Sequence, residues 1–138
     1  MTALRTFSNA PRFELLSDGT LYARAGVQTN SGGIAGIHVR ITTKATPGII
    51  FLMAAHEDQH IDDYGSAVPG SAVPVSYRDA VFQGAHDAFD QSNLDAGVCF
   101  ESLDALVHPV DARERQFALA GMTVMRGWLE LYTQDSLS

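Results

Sequence analysis

Apolar and polar positions alternate over the first third of the chain in the way that half-buried β-strands require. Residues 13–17 and 20–27 are separated by Asp18 and Gly19. Asp-Gly is a favoured two-residue hairpin turn because both of its positions must tolerate a positive φ. The pattern therefore predicts a β-hairpin, and the polar, glycine-rich residues 28–33 that follow predict a loop.

A third strand is predicted from Gly36 to Thr43. Apolar side chains occupy every second position in this segment, and the positions between them carry polar side chains. His38 belongs to the polar set, so we expect it to be solvated. After the turn signal of residues 46–48, the apolar residues 49–55 predict a fourth strand.

Residues 56–76 interrupt this pattern. They contain two tandem copies of Gly-Ser-Ala-Val-Pro, at residues 65–69 and 70–74, and a duplication of this kind indicates a local insertion. The prolines and glycines of the two copies argue against a continuous helix or strand. We therefore predict that residues 56–76 form a loop insertion.

The next segment has helical periodicity. Ser76 and Asp79 match the capping box that opens many helices. Apolar residues then recur at helical spacing up to about Gln91, namely Val81, Ala85, Ala88 and Phe89. A further strand is predicted over residues 97–107, with an irregularity near residues 101–102.

A second helix is predicted to begin at Asp111, which forms a capping box with Glu114. We expect it to run to about Tyr132. One face of this helix carries Phe117, Gly121, Val124, Trp128 and Leu131. Strands that come first and two amphipathic helices that come later predict an α+β fold, a two-layer sandwich with both helices on one face of the sheet.

The composition indicates one globular domain spanning residues 1–138. Hydrophobic residues make up 46% of the chain and charged residues 18%, which is typical of a folded protein rather than a disordered one. The formal net charge is −7, and the nine basic residues are scattered. We therefore expect no strong autonomous binding of nucleic acid.

The apolar runs are too short to span a membrane, and the first residues lack the apolar block of a signal peptide. The sequence thus predicts a cytoplasmic protein without a membrane partner. Cys99 is the only cysteine, so no disulfide can form within the chain. Because it lies in the apolar run Val-Cys-Phe, we expect its thiol to be buried.

Three segments carry a more specific signal, namely SGGIAGIHV (residues 31–39), VPVSYRDAVFQG (73–84) and HPVDARERQFALAG (108–121). Together with Gly97 at the start of the intervening strand, they resemble domain IV of translation elongation factor G. The resemblance covers roughly residues 20–132, and its most specific piece is the His-Pro-Val-Asp turn with the helix that follows.

This resemblance implies three strands, a helix, a strand and a helix, with a left-handed βαβ crossover. It also implies a non-enzymatic binding module whose tip loops contact the ribosome or a translation-related protein. The binding residues that it implies are Ser31, Gly32, Gly33, His108 and Asp111. The same residues also have ordinary structural explanations, as a hairpin connection, an exposed histidine and a helix N-cap.

The chain departs from the family at several points. It lacks the phosphate-binding loop of a GTPase, so it cannot hydrolyse GTP. Ile34 and Ala35 stand where the glycine-rich loop usually carries a basic residue, and Ala112 replaces a hydroxyl residue. These departures keep a second hypothesis open, a structural or homo-oligomeric protein that has lost the ribosomal role.

The segment 56–60 spells His-Glu-Asp-Gln-His, the motif of zinc proteases. That motif works on a helix, where both histidines share one face and the glutamate acts as a base. Here it follows a strand-like run, and Asp63 and Ser66 stand where the extended motif needs glycine and a third ligand. We therefore predict no metal and no cofactor, with a zinc-dependent hydrolase built on His56 and His60 as the weaker alternative.

No Ser-His-Asp or Cys-His arrangement can be identified from the spacing of residues along the chain. The sequence accordingly predicts a protein that is not an enzyme.

Overall fold

The computed structural model describes residues 12–26, 34–55, 66–107 and 113–137. The elements are β1 (Arg12–Leu15), β2 (Leu21–Gly26), β3 (Ile34–Lys44), β4 (Gly48–Met53), β5 (Ser66–Pro69), a single 3-10 turn (Gly70–Ala72), α1 (Val75–Ser92), β6 (Gly97–Val107) and α2 (Glu114–Leu137). One six-stranded sheet carries both helices on one face. This is the predicted α+β two-layer sandwich.

The strand order in the sheet is β1-β2-β3-β6-β4, and β5 also pairs with β6. All pairs are antiparallel except β4 and β6, which run parallel at the two ends of a unit that contains α1. β4 pairs with residues 97–102 of β6, and β5 pairs with residues 104–107 of the same strand. The handedness of this crossover stays a prediction.

The β1–β2 connection differs from the predicted two-residue turn. The Leu16 amide donates to the Thr20 carbonyl at 2.8 Å, and the Gly19 amide donates to the Leu16 carbonyl at 3.0 Å. Among the described residues of this connection, Gly19 alone has a positive φ, of 88°. The loop is therefore the three-residue type, in which a tight turn is followed by one residue in the left-handed region.

The core lies between the sheet and the helices. Most residues of the predicted helical faces are buried, namely Val81, Ala85, Ala88, Phe117, Gly121 and Val124. The remaining three, Phe89, Trp128 and Leu131, are half-buried and pack against the core. The two helices approach each other closely at Gly84 and Gly121. A methyl group on Gly84 would overlap the Ala118 carbonyl, and one on Gly121 would overlap the Val81 carbonyl, so the contact requires glycine on both helices.

Both helix starts differ from the sequence prediction. α1 begins at Val75, and the carbonyl of Pro74 accepts hydrogen bonds from the amides of Tyr77 and Arg78 at 3.0 and 2.9 Å. Ser76 therefore lies inside the helix, where it cannot form the predicted capping box. α2 begins at Glu114, three residues after the predicted start, and ends at Leu137.

The two Gly-Ser-Ala-Val-Pro copies adopt different structures. Residues 66–69 of the first copy form β5, whereas residues 70–72 of the second form the 3-10 turn. The prediction of a loop over residues 56–76 is thus wrong for 66–69, because β6 extends beyond the end of β4 and offers backbone groups that β5 satisfies. It is also wrong for 75–76, which belong to α1.

Neither of the described helices has an apolar stretch long enough to cross a membrane.

Candidate functional site

A buried polar cluster lies on the sheet face opposite the helices. Thr20, His38 and Asp104 each have a relative exposure of 0%. Thr20 Oγ1 is 2.7 Å from His38 Nε2, and His38 Nδ1 is 3.2 Å from Asp104 Oδ2. The three side chains thus form a hydroxyl–imidazole–carboxylate series. The prediction that His38 is solvated is wrong, because this part of the second sheet face is covered.

The pairing of β3 with β6 brings the histidine and the carboxylate together. Val39 is opposite Ser102 and His38 is opposite Asp104, so Leu103 is an extra residue that forms a β-bulge. In the regular register Asp104 would be opposite Ile37 on the helix side, buried among apolar side chains rather than beside an imidazole. The bulge falls just beyond the irregularity predicted near residues 101–102.

The β1–β2 loop adds a fourth group to the series. Asp18 Oδ1 accepts hydrogen bonds from the Thr20 amide at 3.0 Å and from Thr20 Oγ1 at 2.5 Å. Asp18 itself is exposed on the loop. The resulting chain, Asp18–Thr20–His38–Asp104, links the first hairpin to β3 and β6.

The order of these groups is that of a serine-hydrolase triad, but their hydrogen bonding differs. A triad histidine must accept the hydrogen of the nucleophilic hydroxyl. Thr20 has a single hydroxyl hydrogen, and its short contact with the Asp18 carboxylate, which only accepts when ionised, favours donation to Asp18. The hydroxyl hydrogen is then directed at Asp18 rather than at His38 Nε2, so His38 is not placed to act as its base. We therefore interpret the cluster as a structural link between strands.

Spacing along the chain could not have revealed this cluster. Thr20 and His38 are 18 residues apart, and His38 and Asp104 are 66 apart. The one available signal was a set of polar residues at alternate positions of predicted strands. That pattern assigns side chains to a face but does not say whether the face is covered.

Arg24 is a further buried polar residue on this face, with a relative exposure of 1%. It is opposite Gly36 in the β2–β3 pair, and Tyr22 is opposite His38. Tyr22 packs with Leu106 in a small apolar cluster of its own. The arginines are scattered along the sequence, and no local pattern marks this guanidinium as buried. Its burial requires compensating interactions.

The sequence-predicted site residues lie outside the described part of the chain, namely Ser31, Gly32, Gly33, His108, Asp111, His56, Glu57 and His60. The described residues that flank them nevertheless lie together. Gly26 is opposite Ile34, and Ser66 is opposite Val107. We call this end of the sheet, marked by Gly26, Ile34, Ser66 and Val107, the loop end.

All three predicted segments connect to the loop end. Residues 27–33 join Gly26 to Ile34, residues 56–65 lead into Ser66, and residues 108–112 follow Val107. Because β3 and β6 are neighbours in the sheet, the flanking residues of the two resemblance-implied binding loops are adjacent. Sequence separation alone did not establish this adjacency.

No group of three or more metal-ligating side chains occurs within residues 12–26, 34–55, 66–107 and 113–137.

Cys99 is half-buried rather than buried. It is opposite Thr42 on one side and Ile50 on the other, on the sheet face that the helices do not cover. Trp128 packs against the core and stacks on Tyr132 with a centroid distance of 5.0 Å.

Comparison with models of known protein families finds no match to this chain, and comparison with characterised proteins finds no relative.

Proposed function

We propose that the protein is a non-enzymatic binding module that resembles domain IV of elongation factor G and binds the ribosome or a translation-related protein. The observation that carries this proposal is the order of the elements. Apart from β1 and the short β5, the chain follows the order β2, β3, β4, α1, β6, α2. This is the strand-strand-strand-helix-strand-helix order that the resemblance implies.

The loop end supports the same proposal. The segments that resemble the tip loops of the family both leave the sheet at this end, from neighbouring strands. Backbone amides of Ser31, Gly32 and Gly33 offer donors to phosphate, and His108 adds a side chain that can donate or accept. With a net charge of −7, the chain would bind by such local contacts rather than by a broad basic surface.

The buried cluster supports a scaffold rather than a catalyst. Its hydroxyl has no exposed surface, so a substrate would have no access to Thr20 in this structure. The hydrogen bonds join the β1–β2 loop to β3 and β6, the strand pair that reaches the loop end. A rigid support of this kind suits a module that acts by presenting loops.

Co-sedimentation with ribosomes over a salt series tests the proposal. We expect the protein to pellet with ribosomes at low salt and to be released as salt rises, because the contacts are to phosphate. His108→Ala should reduce pelleting. Thr133→Ala, a change at an exposed position of α2, should leave it unchanged.

Two outcomes would contradict the proposal. Absence from ribosomes at low salt would remove the translation-related role. Equal pelleting of wild type and His108→Ala would remove this histidine from the contact surface.

The alternative, an oligomeric structural protein, is favoured by one specific observation. β4 exposes three large apolar side chains, Ile50 at 46%, Leu52 at 46% and Met53 at 41%. Soluble proteins usually protect an edge strand with charge, proline or a covering segment.

A further inference from the structure

β4 is an edge strand within the described part of the chain. It pairs with β6 on one side, and no other described strand pairs with it. The Gly48 amide donates to the Ala96 carbonyl at 3.4 Å, and the Ala54 amide donates to the Ser102 carbonyl at 2.8 Å. The even-numbered residues of β4 therefore direct their backbone groups toward β6.

Backbone groups alternate in direction along a strand, so the odd-numbered residues of β4 face the other way. Ile49, Phe51 and Met53 direct their amides and carbonyls to the free edge. Residues 48–53 contain no charged residue and no proline. This edge therefore offers a short row of hydrogen-bonding groups between apolar side chains, which is a template for another strand.

We propose that β4 pairs with β4 of a second copy of this chain, antiparallel, about a twofold axis at Phe51. The two sheets then join into one continuous sheet across a homodimer. This inference goes beyond the binding role and does not depend on it, since β4 lies along residues 97–102 of β6, away from the loop end.

The register follows from the positions of the outward-facing groups. With the axis at Phe51, this residue faces its own counterpart, and Ile49 faces Met53 of the second copy. Residues paired in this way exchange both backbone hydrogen bonds, so every outward-facing group of the three residues obtains a partner. A shift along the strand would leave some of these groups unpaired.

The side chains fit the same register. On the sheet face away from the helices, Ile50 would be opposite Leu52 of the second copy, so both half-exposed side chains would gain an apolar neighbour. On the helix side, the ring of Phe51 stacks on Phe82 of α1 with a centroid distance of 4.5 Å. The axis would therefore bring two such ring pairs together.

The rim of this surface carries a hydrogen-bond acceptor and a hydrogen-bond donor on either side of Phe82. A groove of about 410 Å³ beside β4 is lined by Phe51, Phe82, Asp79, Gln83 and His86. Asp79 precedes Phe82 on α1 and His86 follows it, and both are exposed. A twofold axis at the level of Phe51 and Phe82 would bring Asp79 of one copy toward His86 of the other, in two equivalent contacts. This complementarity favours a second copy over an unrelated extended peptide.

Molar mass by light scattering, with a charge-swap series, tests the proposal. We expect wild type at twice the chain mass of 14.9 kDa. Ile50→Lys and Leu52→Glu should each give the mass of one chain, because a charge would face an apolar side chain. The double variant Ile50→Lys/Leu52→Glu should restore the dimer, since the introduced ammonium of one copy then faces the introduced carboxylate of the other.

Leu15→Lys is the matched control, because Leu15 is 54% exposed on β1 at the opposite edge of the sheet. This variant should remain dimeric, and far-ultraviolet circular dichroism verifies that each variant is folded. A second measurement uses Cys99→Ser with Ile50→Cys and Leu52→Cys. Oxidation should cross-link its copies, because directly opposed residues in an antiparallel pair lie within disulfide reach.

Three results would overturn the proposal. Wild type that keeps the mass of one chain at high protein concentration would show that a second copy does not occupy the edge. A dimer that survives both single charge variants would place the interface elsewhere. If the protein is a dimer but the double cysteine variant does not cross-link on oxidation, the proposed register is excluded.

Discussion

At the scale of single residues, Asp104 illustrates how one inserted position changes a sheet. Leu103 is absorbed as a bulge, so Asp104 is opposite His38 rather than Ile37. The carboxylate thereby meets an imidazole instead of an apolar core. Thr20 completes the series because its hydroxyl lies between the ring and the Asp18 carboxylate.

Thr20→Val tests the value of this series. Valine keeps the shape of threonine but removes the hydroxyl. The buried His38 Nε2 then loses its hydrogen-bond contact with Thr20 Oγ1. We expect the free energy of unfolding in urea to fall by about 1–3 kcal/mol. Thr133→Val, the same change at an exposed position of α2, should stay within about 0.5 kcal/mol of wild type. Equal effects of the two substitutions would contradict a stabilising role for the cluster.

At the scale of elements, the two helices contact each other through glycine. Gly84 of α1 approaches the Ala118 carbonyl, and Gly121 of α2 approaches the Val81 carbonyl. This close approach lets both helices cover the same face of the sheet. Glycine inside a helix costs roughly 1 kcal/mol relative to alanine, so close packing has to offset that cost twice.

Gly121→Ala is therefore expected to destabilise the protein although alanine is the better helix former. The added methyl group would overlap backbone atoms of Val81, and overpacking of this kind typically costs about 1–3 kcal/mol. Gly84→Ala should behave in the same way. Glu130→Ala, at an exposed position of α2, is the control, and urea unfolding is the measurement. A more stable Gly121→Ala variant would show that the helices can separate at little cost.

β5 shows that the strand beside a segment can decide its secondary structure more strongly than its amino-acid composition does. The same pentapeptide occurs twice, and only the copy that reaches the edge of β6 becomes a strand. Pro69 ends that strand, which is where a residue without an amide hydrogen is tolerated. Gly70 then passes so close to the Ser102 carbonyl that a methyl group there would overlap it.

At the scale of the whole molecule, two surfaces lie along different parts of β6. The loop end lies beside residues 104–107, and the β4 edge lies beside residues 97–102. A dimer through β4 would therefore leave both loop ends free. The proposed binding role and the proposed dimer are thus compatible, and each can fail without the other.

The dimer also predicts a concentration-dependent Tm. Unfolding of a dimer separates its copies, so we expect the Tm of the wild type to rise with protein concentration. The Tm of Ile50→Lys should not change with concentration. Differential scanning calorimetry over a dilution series measures both. A wild-type Tm that stays constant would be evidence against the β4 interface.

Much of the fold was predictable because periodicity is a local property. The apolar positions of the second predicted helix correctly marked Phe117 and Val124 as core residues, and the alternation in the third strand marked Ile37 and Val39. The candidate site was less accessible to prediction. The burial of His38 and Arg24 depends on what covers the second face of the sheet, and alternation along one strand carries no information about that.

By itself, the sequence determined the α+β class, the order of its main elements and the apolar face of each, because side-chain spacing of two or about 3.6 residues reflects one segment alone. Only the tertiary structure decided the pairing of His38 with Asp104, the different structures of two identical pentapeptides and the exposed edge at β4. Each of these depends on which strand lies beside which, and that pairing joins residues too distant in the chain for any local pattern to connect.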